Sequence, residues 1–177
     1  MKRLCAMIPV LAMASLASAD DEGAFARAVS DPGDIYFGMG VTQVNIDNVD
    51  REPQNVSAYL GASLMDNRYG GLYVDSNFSR TFIQEGKLGN TEFDFNTVSV
   101  YGAYRTPTKV YLKLKAGVVH SSTKLDSNGV PNKIDSATEF STGAGLGIEI
   151  YPGVNLEAEV VEIQDSADAV QAQIIFN

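Results

Sequence analysis

The chain has 177 residues, enough for one domain, and carries a net charge of −9 with one cysteine and one histidine. The acidic balance excludes the basic face that a nucleic-acid partner requires. Cys5 alone provides neither a disulfide nor a thiolate metal site. No later stretch approaches 18 consecutive apolar residues, so this chain could cross a bilayer only with strands.

The N-terminal residues 1–19, MKRLCAMIPVLAMASLASA, have a basic start, a short apolar run and an Ala-Ser-Ala end. This pattern predicts a secretory signal peptide cleaved after Ala19, the alternative being an uncleaved N-terminal helix. Cleavage would change the net charge to −11, because the segment carries two positive charges. Residues 20–33 are polar and predict a leader, which leaves 34–177 as the barrel domain.

From position 34 the chain alternates apolar and polar residues, mostly in segments of 10 to 15 residues. Such segments are long for a globular strand and suited to a tilted strand that crosses a bilayer. The predicted strands cover 34–46, 55–65, 69–83, 93–105, 110–124, 137–151, 154–164 and 167–177. The pattern therefore predicts an all-β, eight-stranded antiparallel up-and-down transmembrane barrel with both termini periplasmic.

The links between predicted strands alternate in length. DNRYG, TPTK and PG are short, whereas 47–54, 84–92 and 125–136 are longer and polar, and the last link near 164–167 is short again. Short periplasmic turns and longer outer loops are typical of a transmembrane barrel.

One face of each predicted strand is aliphatic, and the other is rich in Gly, Ser and Thr with few charges. A soluble barrel would expose most of its charge, so the aliphatic face is expected to contact lipid. The apolar parity changes between Val41 and Val44 and between Phe95 and Val98, which suggests a bulge or a passage out of the bilayer. Arg80 falls on the lipid face and is expected near the outer interface, where lipopolysaccharide phosphates lie.

Charged residues on the inward face predict a filled lumen. Buried charges must be paired, and Lys113 and Lys115 are expected to face Glu149. We therefore expect an ion-pair network rather than a conducting path, since eight strands leave room only for side chains. The predicted network consists of Asp75, Arg105, Lys113, Lys115, Glu149, Glu157 and Glu159.

Aromatic residues cluster near both ends of the predicted strands, as in the interfacial girdles of membrane barrels. The alternative is that Tyr and Phe simply favour strands. The predicted periplasmic girdle contains Tyr36, Phe37, Tyr69, Tyr104, Tyr151 and Phe176, and the outer girdle contains Phe78, Phe82, Phe93 and Phe140.

Together with the signal peptide, the stretches VYLKLKAGVV, GAGLGIEIYPGVNLEAEV and VQAQIIFN resemble the small outer-membrane β-barrel family related to the membrane domain of outer membrane protein A. The resemblance covers roughly 34–177. It implies a Gram-negative outer-membrane location, and the barrel-assembly machinery as a partner during biogenesis. One departure is Asn177 after Phe176, since family members usually end in an aromatic residue.

His120 and Ser122 share the outward face. This arrangement resembles that of lipid A 3-O-deacylase, an outer-membrane barrel enzyme whose His, Ser and Glu face lipid. With Glu139 as the carboxylate, such a set could hydrolyse esters. The family motif continues with Asn, however, where Thr123 stands here. We therefore predict no catalytic residues and keep the esterase as an alternative.

Other ligand signals are weak. GAGLG lies in a predicted strand and leads to a turn, so it is not a phosphate loop. Asp47, Asp50 and Glu52 predict a solvated acidic loop more strongly than a Ca²⁺ site. No metal and no cofactor are predicted.

The favoured function is a structural or interaction role for a monomeric barrel among outer-membrane lipid and lipopolysaccharide. A narrow pore or small-ligand transport barrel is the main alternative. A lipid A-modifying esterase and a soluble periplasmic lipocalin-like barrel with inverted faces are the others.

Overall fold

The computed structural model describes residues 35–67, 69–89, 91–127, 130–164 and 167–177. The predicted signal peptide 1–19 and leader 20–33 lie outside the described residues. Within the described ranges, no helix is long and apolar enough to span a membrane.

The described chain is built from strands, as the alternating pattern predicts. They are β1 (Ile35–Ile46), β2 (Gln54–Asn67), β3 (Gly70–Gln84), β4 (Gly86–Leu88), β5 (Thr91–Arg105), β6 (Val110–Ser127), β7 (Val130–Tyr151), β8 (Val154–Gln164) and β9 (Ala167–Phe176).

Every long strand pairs antiparallel with its neighbours in the chain, and two further pairings close the sheet. The last strand, β9, returns to β1, with Phe37 opposite Phe176 and Ile46 opposite Ala167. β3 pairs directly with β5, and the short β4 pairs with β5 as well. The eight long strands therefore form a closed antiparallel meander barrel, which confirms the predicted fold class.

The two ends of the barrel differ. At one end, here called the turn end, β2–β3, β5–β6 and β7–β8 are joined by tight links. Gly70 and Gly153 have φ values of 136° and 78°, which only glycine adopts readily. At the other end, here called the loop end, the links after β1 and β3 are longer.

β6 and β7 extend far towards the loop end, with 18 and 22 residues against the roughly 9–11 that a strand needs to cross a bilayer. The predicted loop 125–136 is therefore wrong. Strand pairing continues through Thr123 opposite Asp135 to Ser127 opposite Val130. The remaining link, 128–129, is Asn-Gly, a two-residue hairpin signal, so the polar residues around it belong to the strands of one long hairpin.

The two edges of the extended β6–β7 hairpin differ in their strand partners. On the β5 side, the first loop adds to β4: the Asp50 N–H donates to the Lys87 carbonyl at 2.8 Å, and the Lys87 N–H donates to the Arg51 carbonyl at 2.8 Å. On the other side, β8 pairs with β7 only from Thr142 onwards. In the described chain, residues 130–134 and 136–141 of β7 thus lie outside the pairing with β8.

The alternation along β1 and β5 is continuous, without a register shift against either neighbour in the barrel. The predicted bulge is therefore wrong for both strands, whereas their outward residues become polar at Gln43 and Asn96, as expected where a strand passes out of the bilayer. Val44 and Phe95 point inward because the inside of the barrel itself becomes apolar near the loop end. There they belong to a buried cluster, here called the apolar plug, formed by Val44, Phe93, Phe95, Val119, Ile163 and Ala169.

The outward face carries large exposed apolar side chains around the whole barrel, including Phe37, Met39, Leu60, Val100 and Leu146. Towards the loop end this band gives way to polar residues on every long strand. The first outward polar residues there are Gln43, Gln54, Arg80, Asn96, His120, Thr138, Glu162 and Asp168. An apolar belt of this extent is far larger than a soluble protein exposes.

Candidate functional site

The lumen of the turn half holds all the buried charged side chains in the described part of the chain. They sit at inward positions of four strands, so alternation alone directs them inside. We call them the charge network: Asp75 on β3, Arg105 on β5, Lys113 and Lys115 on β6, and Glu157 and Glu159 on β8.

Lys113 is the centre of this network and is only 2% exposed. Its Nζ lies 2.7 Å from Asp75 Oδ2, 2.8 Å from Glu157 Oε2 and 2.6 Å from Glu159 Oε1. An ammonium group has three protons to donate, so these contacts use its full capacity.

The glycine-alternating part of β7 makes these contacts possible. In the sheet, Gly145 lies between Lys113 on β6 and Glu159 on β8, so the two side chains meet above it. A Cβ at Gly145 would stand 2.6 Å from Glu159 Cγ, which leaves no room for a larger residue. Gly147 lies in the same way between Tyr111 and Glu157.

Arg105 and Lys115 complete the charge balance. Arg105 Nε lies 3.1 Å from Glu157 Oε1, and its guanidinium carbon lies 4.7 and 4.4 Å from the ring centres of Tyr36 and Tyr73. Lys115 pairs with Glu159. Three cations therefore meet three carboxylates in the network. A neutral, paired set is the arrangement in which buried charges cost least.

Uncharged side chains bond to the same carboxylates. Tyr36 donates to Asp75, Tyr111 donates to Glu157 Oε1 at 2.7 Å, and Gln173 Nε2 donates to Glu159 Oε1 at 2.5 Å. The predicted network does not include these residues. The signal was available, since Tyr36, Tyr111 and Gln173 all share the parity of inward residues on their strands.

Three predicted positions are corrected. Tyr36 and Phe93 were predicted in the girdles but lie inside the barrel, 4% and 5% exposed, because they have inward parity. Glu149 was predicted to face the lysines of the network, but the residue opposite Lys113 is Gly145, four positions away. Glu149 instead lies exposed at the turn end, where its N–H donates to the Lys109 carbonyl at 2.9 Å.

The other predicted girdle residues lie on the outer surface. At the turn end, Tyr104 donates to the Tyr69 carbonyl at 2.5 Å, and the rings of Phe37 and Phe176 stack with centres 5.4 Å apart. Tyr151 is exposed at the same end. Near the loop end of the band, the exposed aromatic residues are Phe78, Phe82 and Phe140.

The structure does not bring the esterase candidates together. His120 is outward, with Nδ1 2.8 Å from Thr138 Oγ1, and Ser122 shares that face. Glu139 has the opposite, inward parity, so its carboxylate cannot orient His120 across the sheet wall.

The acidic first loop is held by internal bonds. Asp50 Oδ2 accepts from the Gly89 N–H at 2.6 Å, and Glu52 Oε2 accepts from Gln43 Nε2 at 2.6 Å. In the described part of the chain, no three acidic, His or Cys side chains form a group that could hold a metal ion.

A closed barrel that exposes a continuous apolar belt and keeps its charges inside is a transmembrane β-barrel. The chain belongs to the family described as the outer membrane protein beta-barrel domain, whose model matches residues 4–174. Its location is the outer membrane of a Gram-negative bacterium, among lipid and lipopolysaccharide.

Solved structures with a similar fold are small outer-membrane barrels. Ail, the attachment invasion locus protein of Yersinia pestis, is 20% identical with a TM-score of 0.58, covering 80% of this chain and 93% of its own. Neisserial surface protein A is 15% identical, with a TM-score of 0.60 and coverage of 80% and 96%. The N-terminal barrel of Pseudomonas aeruginosa OprF is 11% identical, with a TM-score of 0.54 and the same coverage. No curated protein matches the chain in sequence.

Proposed function

We propose that the protein is a sealed outer-membrane barrel with a structural and interaction role, and that it conducts no solute. The observation that carries this proposal is the double filling of the lumen. The charge network occupies the turn half, and the apolar plug occupies the loop half. A solute would have to separate buried ion pairs and then pass a layer of packed aromatic and aliphatic side chains, and both steps are costly.

The turn end would face the periplasm and the loop end the outside, as in barrels with short periplasmic turns. Residues 1–19 would act as the cleaved signal peptide, and 20–33 as a leader. We also propose that the barrel inserts through the barrel-assembly machinery and functions as a monomer. Arg80, exposed where the apolar band ends at the loop end, would meet lipopolysaccharide phosphates.

The interaction role would belong to the long β6–β7 hairpin. Along residues 130–134 and 136–141, the β7 edge lies outside the pairing with β8 and would offer backbone N–H and C=O groups to an extended segment of another protein, which is the β-augmentation mode of recognition. The β5 edge, in contrast, is covered by β4 and the first loop. A contact surface on the outside is thus expected along residues 130–134 and 136–141.

A deletion strain separates the two roles. We expect loss of the protein to raise sensitivity to detergent and to large antibiotics, and wild-type protein to restore resistance. A variant in which residues 122–136 are replaced by an Asn-Gly turn keeps the barrel and the pairing of Ser121 with Ala137 but lacks most of the exposed edge. Restored resistance with this variant would assign the structural role to the barrel. Failure to restore resistance, despite normal amounts of folded protein in the outer membrane, would place that role in the hairpin.

The narrow-pore alternative is tested by liposome swelling with sugars and amino acids. Swelling no faster than that of empty liposomes is expected. Swelling at a rate that falls with solute size would contradict the sealed barrel and favour transport.

A further inference from the structure

The turn end of the barrel opens into a cavity of 570 Å³, here called the vestibule, that ends on the charge network. This volume lies within the range of small-ligand sites. Around its rim the lining combines N–H and O–H donors, carboxylates and an apolar surface, from Ser63, Lys109, Asn155, Asp66, Glu149 and Pro107. A peptide suits such a mixed lining, because each residue other than proline brings one N–H and one C=O group.

An open stretch of sheet edge lies at the same cavity. β1 begins at Ile35, opposite Ala62, whereas β2 continues to Asn67. Within the described chain, the edge of β2 beyond Ala62 therefore lies outside the pairing with β1, and Ser63 and Asp66 of this stretch line the vestibule. Such an edge offers backbone hydrogen bonds to an extended segment.

The chain that precedes β1 arrives at this place. Ile35 lines the vestibule, so residues 20–34 join the barrel at its mouth. The sequence Asp-Pro-Gly-Asp at 31–34 is typical of a β-turn, because Pro fixes φ at the second position and Gly accepts a positive φ at the third. The two ends of a β-turn lie within about 7 Å of each other, so this turn would direct the preceding residues back to the mouth.

Residues 23–30, GAFARAVS, suit the cavity. They contain no carboxylate, whereas 20–22 and 31–34 contain five, and most of their side chains are small. Phe25 and Val29 bring apolar surface, and Arg27 brings one positive charge to a lining with three carboxylates and two cations. The eight residues from Arg27 to Asp34 span up to about 29 Å, which exceeds the width of the cavity.

We propose that residues 23–30 fold back into the vestibule and close the turn end of the barrel. Attachment at Ile35 favours this contact, because a short tether gives an effective concentration in the millimolar range. The charge network and the apolar plug seal the lumen without this segment. Docking of the segment and the sealed barrel can therefore fail independently.

Thiol labelling tests the proposal. Cys5 is the only cysteine, so Cys5→Ala gives a chain in which one introduced thiol can be followed. Asn155→Cys places the thiol in the vestibule wall. The matched control is Tyr151→Cys, since Tyr151 lies opposite Val154 at the same end but is exposed on the outer surface. Each variant is made with the native leader and with residues 23–30 replaced by a Gly-Ser repeat of equal length.

The rate of reaction with a water-soluble maleimide is measured on the full chain in lipid nanodiscs, after heat-modifiable gel mobility has shown that each barrel is folded. With the native leader, we expect Asn155→Cys to react at least tenfold more slowly than with the Gly-Ser leader. Tyr151→Cys should react at the same rate with both leaders. Equal rates for Asn155→Cys with the two leaders would overturn the proposal, as would equal slowing at both positions.

Disulfide formation locates the segment itself. Ala26→Cys combined with Asn155→Cys should form a disulfide at least tenfold faster than Ala26→Cys combined with Tyr151→Cys. Equal rates for the two pairs would show a tether that samples the turn end without docking, and would contradict the proposal. Failure of the first pair to form a disulfide would contradict it as well.

Discussion

The two halves of the lumen are filled by opposite chemistries within the same eight strands. The turn half holds six charges with their tyrosine and glutamine partners, whereas the loop half holds the apolar plug. The charged half depends on matched partners, because each buried charge is stable only while its counter-charges are present. The stability of the apolar half depends on how well its volume is filled, because dispersion forces and the burial of apolar surface are not directional.

The outward pattern of lipid-facing residues therefore does not determine how a small barrel is filled. The difference between the two halves also predicts that they respond differently to mutation. The charged half should fail when one partner is removed and recover when a second change rebalances it. The apolar half should lose stability in proportion to the volume removed.

The largest effect is expected for Lys113→Met. It leaves three buried carboxylates facing two cations, and removing one partner of a buried ion pair typically costs about 3–5 kcal/mol. Because Lys113 contacts all three carboxylates, we expect a loss of about 5 kcal/mol in the free energy of unfolding, measured by urea titration in lipid vesicles. Lys109→Met, at the exposed rim, should change it by less than about 0.5 kcal/mol. Similar losses in the two variants would contradict the network.

In the apolar plug, Phe95→Ala should cost about 4 kcal/mol, because it removes a buried ring and leaves a cavity. Phe95→Leu keeps most of the volume and should cost only about 1 kcal/mol. The same urea titrations compare the two. A leucine variant as unstable as the alanine variant would show that volume is not what the plug requires.

Gly145→Ala tests the spacer between the two charged strands. The added methyl would press on Glu159 and on the Ala158 carbonyl, and overpacking typically costs about 1–3 kcal/mol. We expect about 2 kcal/mol, from the same titrations. Ala144→Gly, the adjacent position on the outward face, controls for general effects on strand propensity and should cost less. A larger loss in the free energy of unfolding for Ala144→Gly than for Gly145→Ala would contradict the steric role assigned to Gly145.

A smaller effect sharpens the comparison between the halves. Adding Asp75→Asn to Lys113→Met restores charge balance and should recover about 2 kcal/mol, within the range measured for contacting residues. Adding Asp75→Asn to Phe95→Ala should give only the sum of the two single losses, since the residues lie in different halves. Equal coupling in both double-mutant cycles would mean that the halves are not separate units.

Much of this architecture could be predicted because strand alternation has a period of two. It indicates which face a residue is on, and it predicts the closed meander and the inward side of Lys113, Lys115, Glu157 and Glu159. Alternation does not determine the register between strands. The register places Gly145 rather than Glu149 opposite Lys113. A shift of two or four residues keeps every face correct and changes every neighbour.

Other differences arose where residue type outweighed position. Tyr36 and Phe93 were assigned to the girdles because they are aromatic, although their parity is inward. The polar composition of residues 125–136 predicts a loop, whereas a strand outside the bilayer needs no apolar face. The apolar plug was missed for a related reason, since Val44 and Phe95 were interpreted as breaks in a pattern rather than as a change in the lumen.

Planar-bilayer recording of the purified wild-type barrel shows whether the lumen is sealed. We predict no stable channel at moderate voltage, because the charge network and the apolar plug block the lumen in series. Large, long-lived channels that appear in proportion to the amount of inserted barrel would contradict the account.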